Sequence, residues 1–328
     1  MDERVLKDPF GRRIDYLRLS VTDRCDLRCS YCMPKGFSDY AEPDEWLRLD
    51  EIERVVRAFV ALGVGRVRLT GGEPLVRKKL PELAARLSAL DGLDDLSLSS
   101  NCTRMAKMAG ALREAGVQRL NVSLDTLDPV TFREITGGKL HKVLDGIEAA
   151  REAGFDPIRI NSVVMKGVND QAIESLLDYC AERGFTLRLI ETMPMGDTGR
   201  GALNHYVDLQ RVRQQLEQDY ELIPDVLPGG GPARYYRLSG TDTRIGFITP
   251  LSQHFCETCN RVRLTVDGTL HMCLGQAHSY PLRQLLRDGI DDNELQDRLR
   301  TALALKPERH EFREKPEKVI RFMSMTGG

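Results

Sequence analysis

The sequence predicts an α/β fold, an incomplete (βα)6 barrel of the TIM type followed by a C-terminal region of different rhythm. Three observations predict it. Six short β-branched or leucine-rich runs alternate with amphipathic helical patterns. Parallel strands need such crossover connections, and a curled sheet of six of them is a partial barrel. The unusual motifs of the first half each fall at the end of one of these runs, where parallel sheets carry their functional groups.

YLRLSV at 16–21 is the first strand, and CDLRCSYC follows at 25–32. LDEIERVVRAFVALG sets Ile52, Val55, Val56 and Phe59 on one helical face and leads to the second strand, RVRLT at 66–70, which ends at GGEP, 71–74. KKLPELAARLSAL is the next helix, and LSLSS at 96–100 is the third strand, closed by SNC at 100–102. RLNVSL at 119–124 ends in SLD at 123–125, and IRINSVV at 158–164 and TLRLIET at 186–192 complete the six. After residue 195 the rhythm stops. MGDTGRGALNHY reads as a polar linker or lid, VDLQRVRQQLEQDY as a helix, LPGGGP as a turn, and YYRLSG and RIGFIT as strands. The expected division is 1–195 for the barrel and 196–328 for the C-terminal region.

Composition narrows the function. With 47 basic against 49 acidic residues, the chain carries no charge excess that would favour nucleic acid or an anionic membrane. The first twenty residues break every apolar run with charges, so no signal peptide or spanning helix is expected there, and the cytoplasm is the expected compartment. In that reducing setting eight cysteines are not a disulfide framework. Cys180 lies in the helical QAIESLLDYCAERG and reads as a small buried hydrophobe.

The other cysteines form two incomplete groups. Cys25, Cys29 and Cys32 follow a CxxxCxxC spacing, and Cys256, Cys259 and Cys273 lie in SQHFCETCNRVRLTVDGTLHMCLG. Three thiolates on a 4Fe-4S cluster leave one iron for a ligand that is not protein. The alternative is zinc, through a distant fourth cysteine in the first group, or through His254, His271 or His278 in the second. Arg261 and Arg263 alternate along RVRL and can face one side, suiting an anionic ligand.

CxxxCxxC with an aromatic before its last cysteine, after a first strand and ahead of GGEP, resembles the radical S-adenosylmethionine superfamily. LRLSVTDRCDLRCSYCMP, RLTGGEPLVR, LNVSLDTLD, FCETCNRVRLTVDGTLHMCL and the terminal glycine pair more specifically resemble the GTP 3′,8-cyclase family of molybdenum cofactor biosynthesis, over nearly the whole length. The resemblance implies two 4Fe-4S clusters, one on Cys25, Cys29 and Cys32 that cleaves S-adenosylmethionine, and a second on Cys256, Cys259 and Cys273 in the C-terminal region. It implies a cosubstrate pocket at Tyr31, Gly72, Ser123 and Met193, and GTP contacts at Arg18, Arg68, Ser99, Arg159, Arg261, Val262 and Arg263. It implies hydrogen-atom abstraction from C3′ of GTP, attack of the C3′ radical on C8, and reduction of the cyclised radical by one electron and a proton to the lyase product, 3′,8-cyclo-7,8-dihydro-GTP, passed to cyclic pyranopterin monophosphate synthase. A homodimer, an external electron donor, and a tail of Gly327 and Gly328 reaching the active site are implied as well.

Three positions depart from the family pattern. Arg159 stands where lysine is usual, Ser99 where threonine is familiar, and SSNC replaces TTNG, putting Cys102 in a glycine position that favours positive φ. No GxxxxGK[ST] motif is present, so GTP rests on the resemblance alone. If Arg18, Arg68 and Arg159 face inward, they make a positive lumen that calls for an anion. Two other readings remain at this stage: a related radical enzyme acting on peptide or RNA, and a zinc or iron–sulfur module without catalysis.

Overall fold

The computed structural model of the chain describes residues 5–38, 40, 43–227 and 231–327. Residues 228–230 of the LPGGGP turn and Gly328 lie outside them.

One sheet organises the molecule. Its strands are β1 (Tyr16–Ser20), β2 (Arg66–Thr70), β3 (Asp95–Ser100), β4 (Arg119–Ser123), β5 (Ile158–Val164), β6 (Thr186–Glu191), β7 (Leu222–Asp225), β8 (Arg234–Leu238), β9 (Arg244–Ile248), β10 (Arg261–Leu264), β11 (Thr269–His271) and β12 (Ser279–Pro281). The spatial order is β12-β11-β10-β1-β2-β3-β4-β5-β6-β9-β8-β7. All six expected strands are present, adjacent in chain order and parallel. The C-terminal strands extend this same sheet: β10 adds in parallel beside β1, and β9 adds in parallel beside β6.

Alternation along the strands explains why the sheet is buried on both sides. In β1, Leu17 and Leu19 share a face, matched by Val67 and Leu69 on β2, Leu96 and Leu98 on β3, and Val262 and Leu264 on β10, all in the hydrophobic core. Helices cover that face. The helix Leu49–Ala61 buries Ile52, Val55, Val56 and Phe59, the face its spacing predicts, and the Glu51 carboxylate accepts the Arg48 amide at its start. The opposite face is polar: Arg18 is level with Arg68 and Arg263, and Asn161 with Arg188. Among the described residues no helix is long and apolar enough to cross a membrane.

The stretch read as a linker, MGDTGRGALNHY, differs from expectation. It is a short helix, Gly196–Ala202, followed by a 3-10 turn, Leu203–His205. A side chain at Gly199 would stand 2.4 Å from the Met193 carbonyl, so this glycine serves close docking rather than freedom.

Candidate active site

The loop after β1 and the loop after β2 are locked together by backbone. The Gly72 amide donates to the Thr22 carbonyl at 2.9 Å, and the Glu73 amide to the Arg24 carbonyl at 2.8 Å. A Cβ at Gly71 would lie 2.3 Å from the Thr22 carbonyl oxygen, and one at Gly72 2.4 Å from that of Arg24. The glycine pair therefore lets the GGEP loop seat the cysteine loop. Glu73 turns inward and accepts from Leu75 N (3.0 Å), Ser100 Oγ (2.8 Å) and Asn101 N (2.6 Å), tying in the loop after β3.

Burial pushes the Glu73 carboxyl up to about 7 from its ordinary 4.5. The folded metal-free chain thus holds a proton that the unfolded chain releases between these values, so its stability falls as pH rises through that window. Glu73→Gln is expected to flatten this slope by up to about 1.4 kcal/mol per pH unit. Urea unfolding at several pH values checks it, and an unaltered slope contradicts it.

One cavity opens above these loops. It is lined by Cys25, Cys29 and Cys32 and by the four predicted cosubstrate residues, Tyr31, Gly72, Ser123 and Met193. Sequence reasoning passed over Asp125, two residues beyond Ser123 in SLD, which also lines it. Asp125 is buried, accepts from Tyr31 Oη and the Val163 amide at 2.8 Å each, and is pushed up to about 6 by burial. Burial likewise pushes the Cys25 and Cys32 thiols up to about 12, and Cys29 well above the thiol range.

A second cavity adjoins the first across a shared wall of Ser99, Asn161, Ile190 and Met193. It gathers Cys256, Cys259 and Cys273 with Arg18, Arg68, Arg188, Arg261 and Arg263. Arg159 lines a further recess that shares Arg68 and Arg188 with this cavity. Val262 places its side chain in the core, leaving only its backbone on this side. Arg188 escaped sequence reasoning although it is the central residue of TLRLI, the place Arg18 holds in YLRLS.

Four of these guanidiniums have neutral partners among the described residues. Arg18 donates to Gly327 O (3.1 Å), Arg68 to Ser97 Oγ (3.3 Å), Arg188 to Asn161 Oδ1 (2.7 Å) and Asn121 Oδ1, and Arg263 to Gly327 O (2.6 Å). Among the described residues no carboxylate lies within ion-pair distance of these four, all of them buried. Burial and mutual repulsion hold Arg18 well below the usual guanidinium range and bring Arg263 to about 10. Such a cluster is suited to a multiply charged anion.

The thiols of the two trios are spread. Neither trio, among the described residues, brings three sulfurs within 4.8 Å of one another, as a single zinc with Zn–S bonds of about 2.3 Å would require. A multi-iron cluster spans more. His254, Cys256 and His310 do group within 4.8 Å, whereas His271 and His278 stand outside that group. For Cys259, burial raises the thiol, but Lys306 and Arg261 outweigh it and hold it below the ordinary range.

Sequence comparison decides the family. The chain is 49% identical over 327 residues to a GTP 3′,8-cyclase of Ectopseudomonas mendocina, covering 98% of each chain. The chain belongs to the GTP 3′,8-cyclase family. Other cyclases of the family, from Pseudomonas aeruginosa (50% identical, 98% of each chain) and Hydrogenovibrio crunogenus (46%, covering 98% of this chain and 99% of the other), agree. Sequence models of the Radical SAM superfamily and of Molybdenum Cofactor Synthesis C match residues 19–180 and 185–312. Among solved structures, Streptococcus suis SuiB bound to S-adenosylmethionine shares the fold at TM-score 0.62 and 16% identity, covering 96% of this chain and 78% of SuiB.

Within the cyclase family pattern, the SSNC departure keeps its loop shape: Cys102 itself takes φ 61, with its amide held by Ser100 Oγ at 2.9 Å. Gly146 makes room, since a Cβ there would stand 2.1 Å from the Cys102 carbonyl oxygen. The cyclase tail reaches the arginines through Gly327, whose φ is +65 and whose added Cβ would fall 2.3 Å from Thr70 Cγ2. Gly327→Ala is therefore expected to weaken tail docking by about 1–2 kcal/mol, roughly 5–30-fold in population, with a matching fall in turnover. Hydrogen exchange of residues 323–327 checks this, and unchanged protection contradicts it.

Proposed function

We propose that this chain converts GTP to 3′,8-cyclo-7,8-dihydro-GTP, the first step of molybdenum cofactor biosynthesis, with S-adenosylmethionine in the Cys25 cavity and GTP in the Cys256 cavity. The observation that carries this reading is the pair of adjoining cavities, each with three cysteines, one also lined by buried Arg18, Arg68, Arg188 and Arg263, which have no carboxylate within ion-pair distance among the described residues. A 4Fe-4S cluster on Cys25, Cys29 and Cys32, when bound, supplies the electron that cleaves S-adenosylmethionine to methionine and a 5′-deoxyadenosyl radical. We assign a second cluster to Cys256, Cys259 and Cys273.

The chain's own work is placement. Tyr31, Gly72, Ser123 and Met193 hold the cosubstrate, with Asp125 fixing Tyr31. Arg68, Arg159 and Arg188 take the triphosphate at the recess end, and Arg18, Arg261 and Arg263 hold the nucleotide nearer the second trio. The ribose then lies at the shared wall, where Ser99 and Asn161 offer polar contacts and Ile190 and Met193 exclude water. No strong base is required, because C3′–H is taken as a hydrogen atom. Residues 1–195 would serve the cosubstrate and 196–328 would complete the nucleotide site. A homodimer in the cytoplasm, an external electron donor and delivery to cyclic pyranopterin monophosphate synthase extend the same proposal.

Anaerobic incubation of the iron-loaded protein with S-adenosylmethionine, dithionite and single nucleotides, followed by mass spectrometry, tests it. GTP is expected to yield the cyclised product and ATP none. 5′-Deoxyadenosine with no nucleotide product from GTP would overturn the reading.

A further inference from the structure

Lys306 follows the helix Asp292–Leu303 and is buried, with 3% of its surface exposed. Lysine is rarely buried so fully without a charged partner. Its ammonium has three N–H donors and no acceptor. Here the three point at three groups: the Met272 carbonyl at 2.7 Å, the Arg261 carbonyl at 2.9 Å and Cys259 Sγ at 3.5 Å. Among the described residues no carboxylate lies within ion-pair distance of it.

The two carbonyls explain its position. Arg261 opens β10 two residues after Cys259, and Met272 follows β11 directly before Cys273. Two of the donors thus pin the backbone beside two cysteines of the second trio, and the third N–H is left aimed at a sulfur. Among the described residues the first trio has no ammonium donor: Cys25 Sγ receives the Leu27 amide at 3.4 Å and Asn101 Nδ2 at 3.8 Å, both neutral, and Asp125 lines the same cavity.

We propose that Lys306 is a positioning residue for the second cluster, whose ammonium bonds Cys259 Sγ and raises the reduction potential of that cluster. The proposal rests on the assignment of a cluster to Cys256, Cys259 and Cys273. Hydrogen bonds to ligand sulfur and local positive charge both stabilise the more negative, reduced form. A purely structural staple would spend its donors on the carbonyls and leave the potential unmoved.

The test uses the full-length chain with Cys25, Cys29 and Cys32 replaced by alanine, loaded anaerobically with iron and sulfide, so that only the second site is read. Its potential is titrated by electron paramagnetic resonance, alone and with Lys306→Met or Lys306→Gln added. Iron and sulfide contents are expected to match across the three chains. At a fixed potential the reduced-to-oxidised ratio of Lys306→Met should fall at least about tenfold, which is about 59 mV for a one-electron couple. Lys306→Gln, which retains a neutral donor, should lie between. Unchanged potentials in the variants overturn the proposal, as does loss of iron from both while the Lys306 chain loads. If the Lys306 chain takes up no iron and sulfide, the second-cluster assignment itself falls.

Discussion

Cys256→Ser enzyme continues to release 5′-deoxyadenosine when reduced with S-adenosylmethionine but forms no cyclised nucleotide, whereas Cys25→Ser enzyme forms neither. The expectation follows from the separation of the trios into two cavities that share a wall and no cysteine. Removing Cys25 takes away one of three anchors on the cosubstrate side, and cleavage should drop by more than about 10³-fold, some 4 kcal/mol of barrier. Removing Cys256 leaves that cavity intact. Parallel assays of 5′-deoxyadenosine and nucleotide product check this. Equal loss of both activities in a folded Cys256→Ser protein would contradict the division.

Arg263→Ala weakens GTP binding by about 10–100-fold and leaves S-adenosylmethionine binding unchanged. A charge-assisted hydrogen bond to phosphate or carbonyl is worth roughly 1.5–3 kcal/mol, which gives that range. Arg263 lines the Cys256 cavity and is absent from the wall of the Cys25 cavity, so the effect should be confined to GTP. The ligand-free stability should move the other way or stay level. Arg263 is brought to about 10 by burial and the neighbouring Arg261, so alanine relieves a cost as well as removing the bond to Gly327 O. Isothermal titration with each ligand, beside thermal unfolding without ligand, measures both sides. A fall in S-adenosylmethionine affinity equal to that for GTP would contradict the assignment.

The six strands were legible because each carries a short apolar run and the first four lead into a motif, and local pattern suffices for that. The cysteine trios, Arg18, Arg68 and Ser99 were legible for the same reason, and the structure brings all of them to the two cavities. What escaped depends on pairing across long stretches of chain. RVRL at 261–264 lies beside YLRL at 16–19 because β10 adds to the first strand, a contact no periodicity encodes. Arg188 and Asp125 gain meaning only from distant partners: β5–β6 pairing sets Arg188 level with Asn161, and Asp125 accepts from Tyr31 Oη and the Val163 amide. Lys306 sits in a plain LALKPE segment and gains meaning only from the two carbonyls and the sulfur around it. In MGDTGRG the glycines signalled a loop, but Gly199 is small because the Met193 carbonyl is close.

The shared wall is expected to bring C3′ of GTP against the 5′-carbon produced from S-adenosylmethionine. GTP carrying deuterium at C3′ tests it most directly in one anaerobic turnover, read as the mass of 5′-deoxyadenosine. Transfer of one deuterium into 5′-deoxyadenosine together with cyclised product is the predicted result. Unlabelled 5′-deoxyadenosine accompanying cyclised product would contradict the placement.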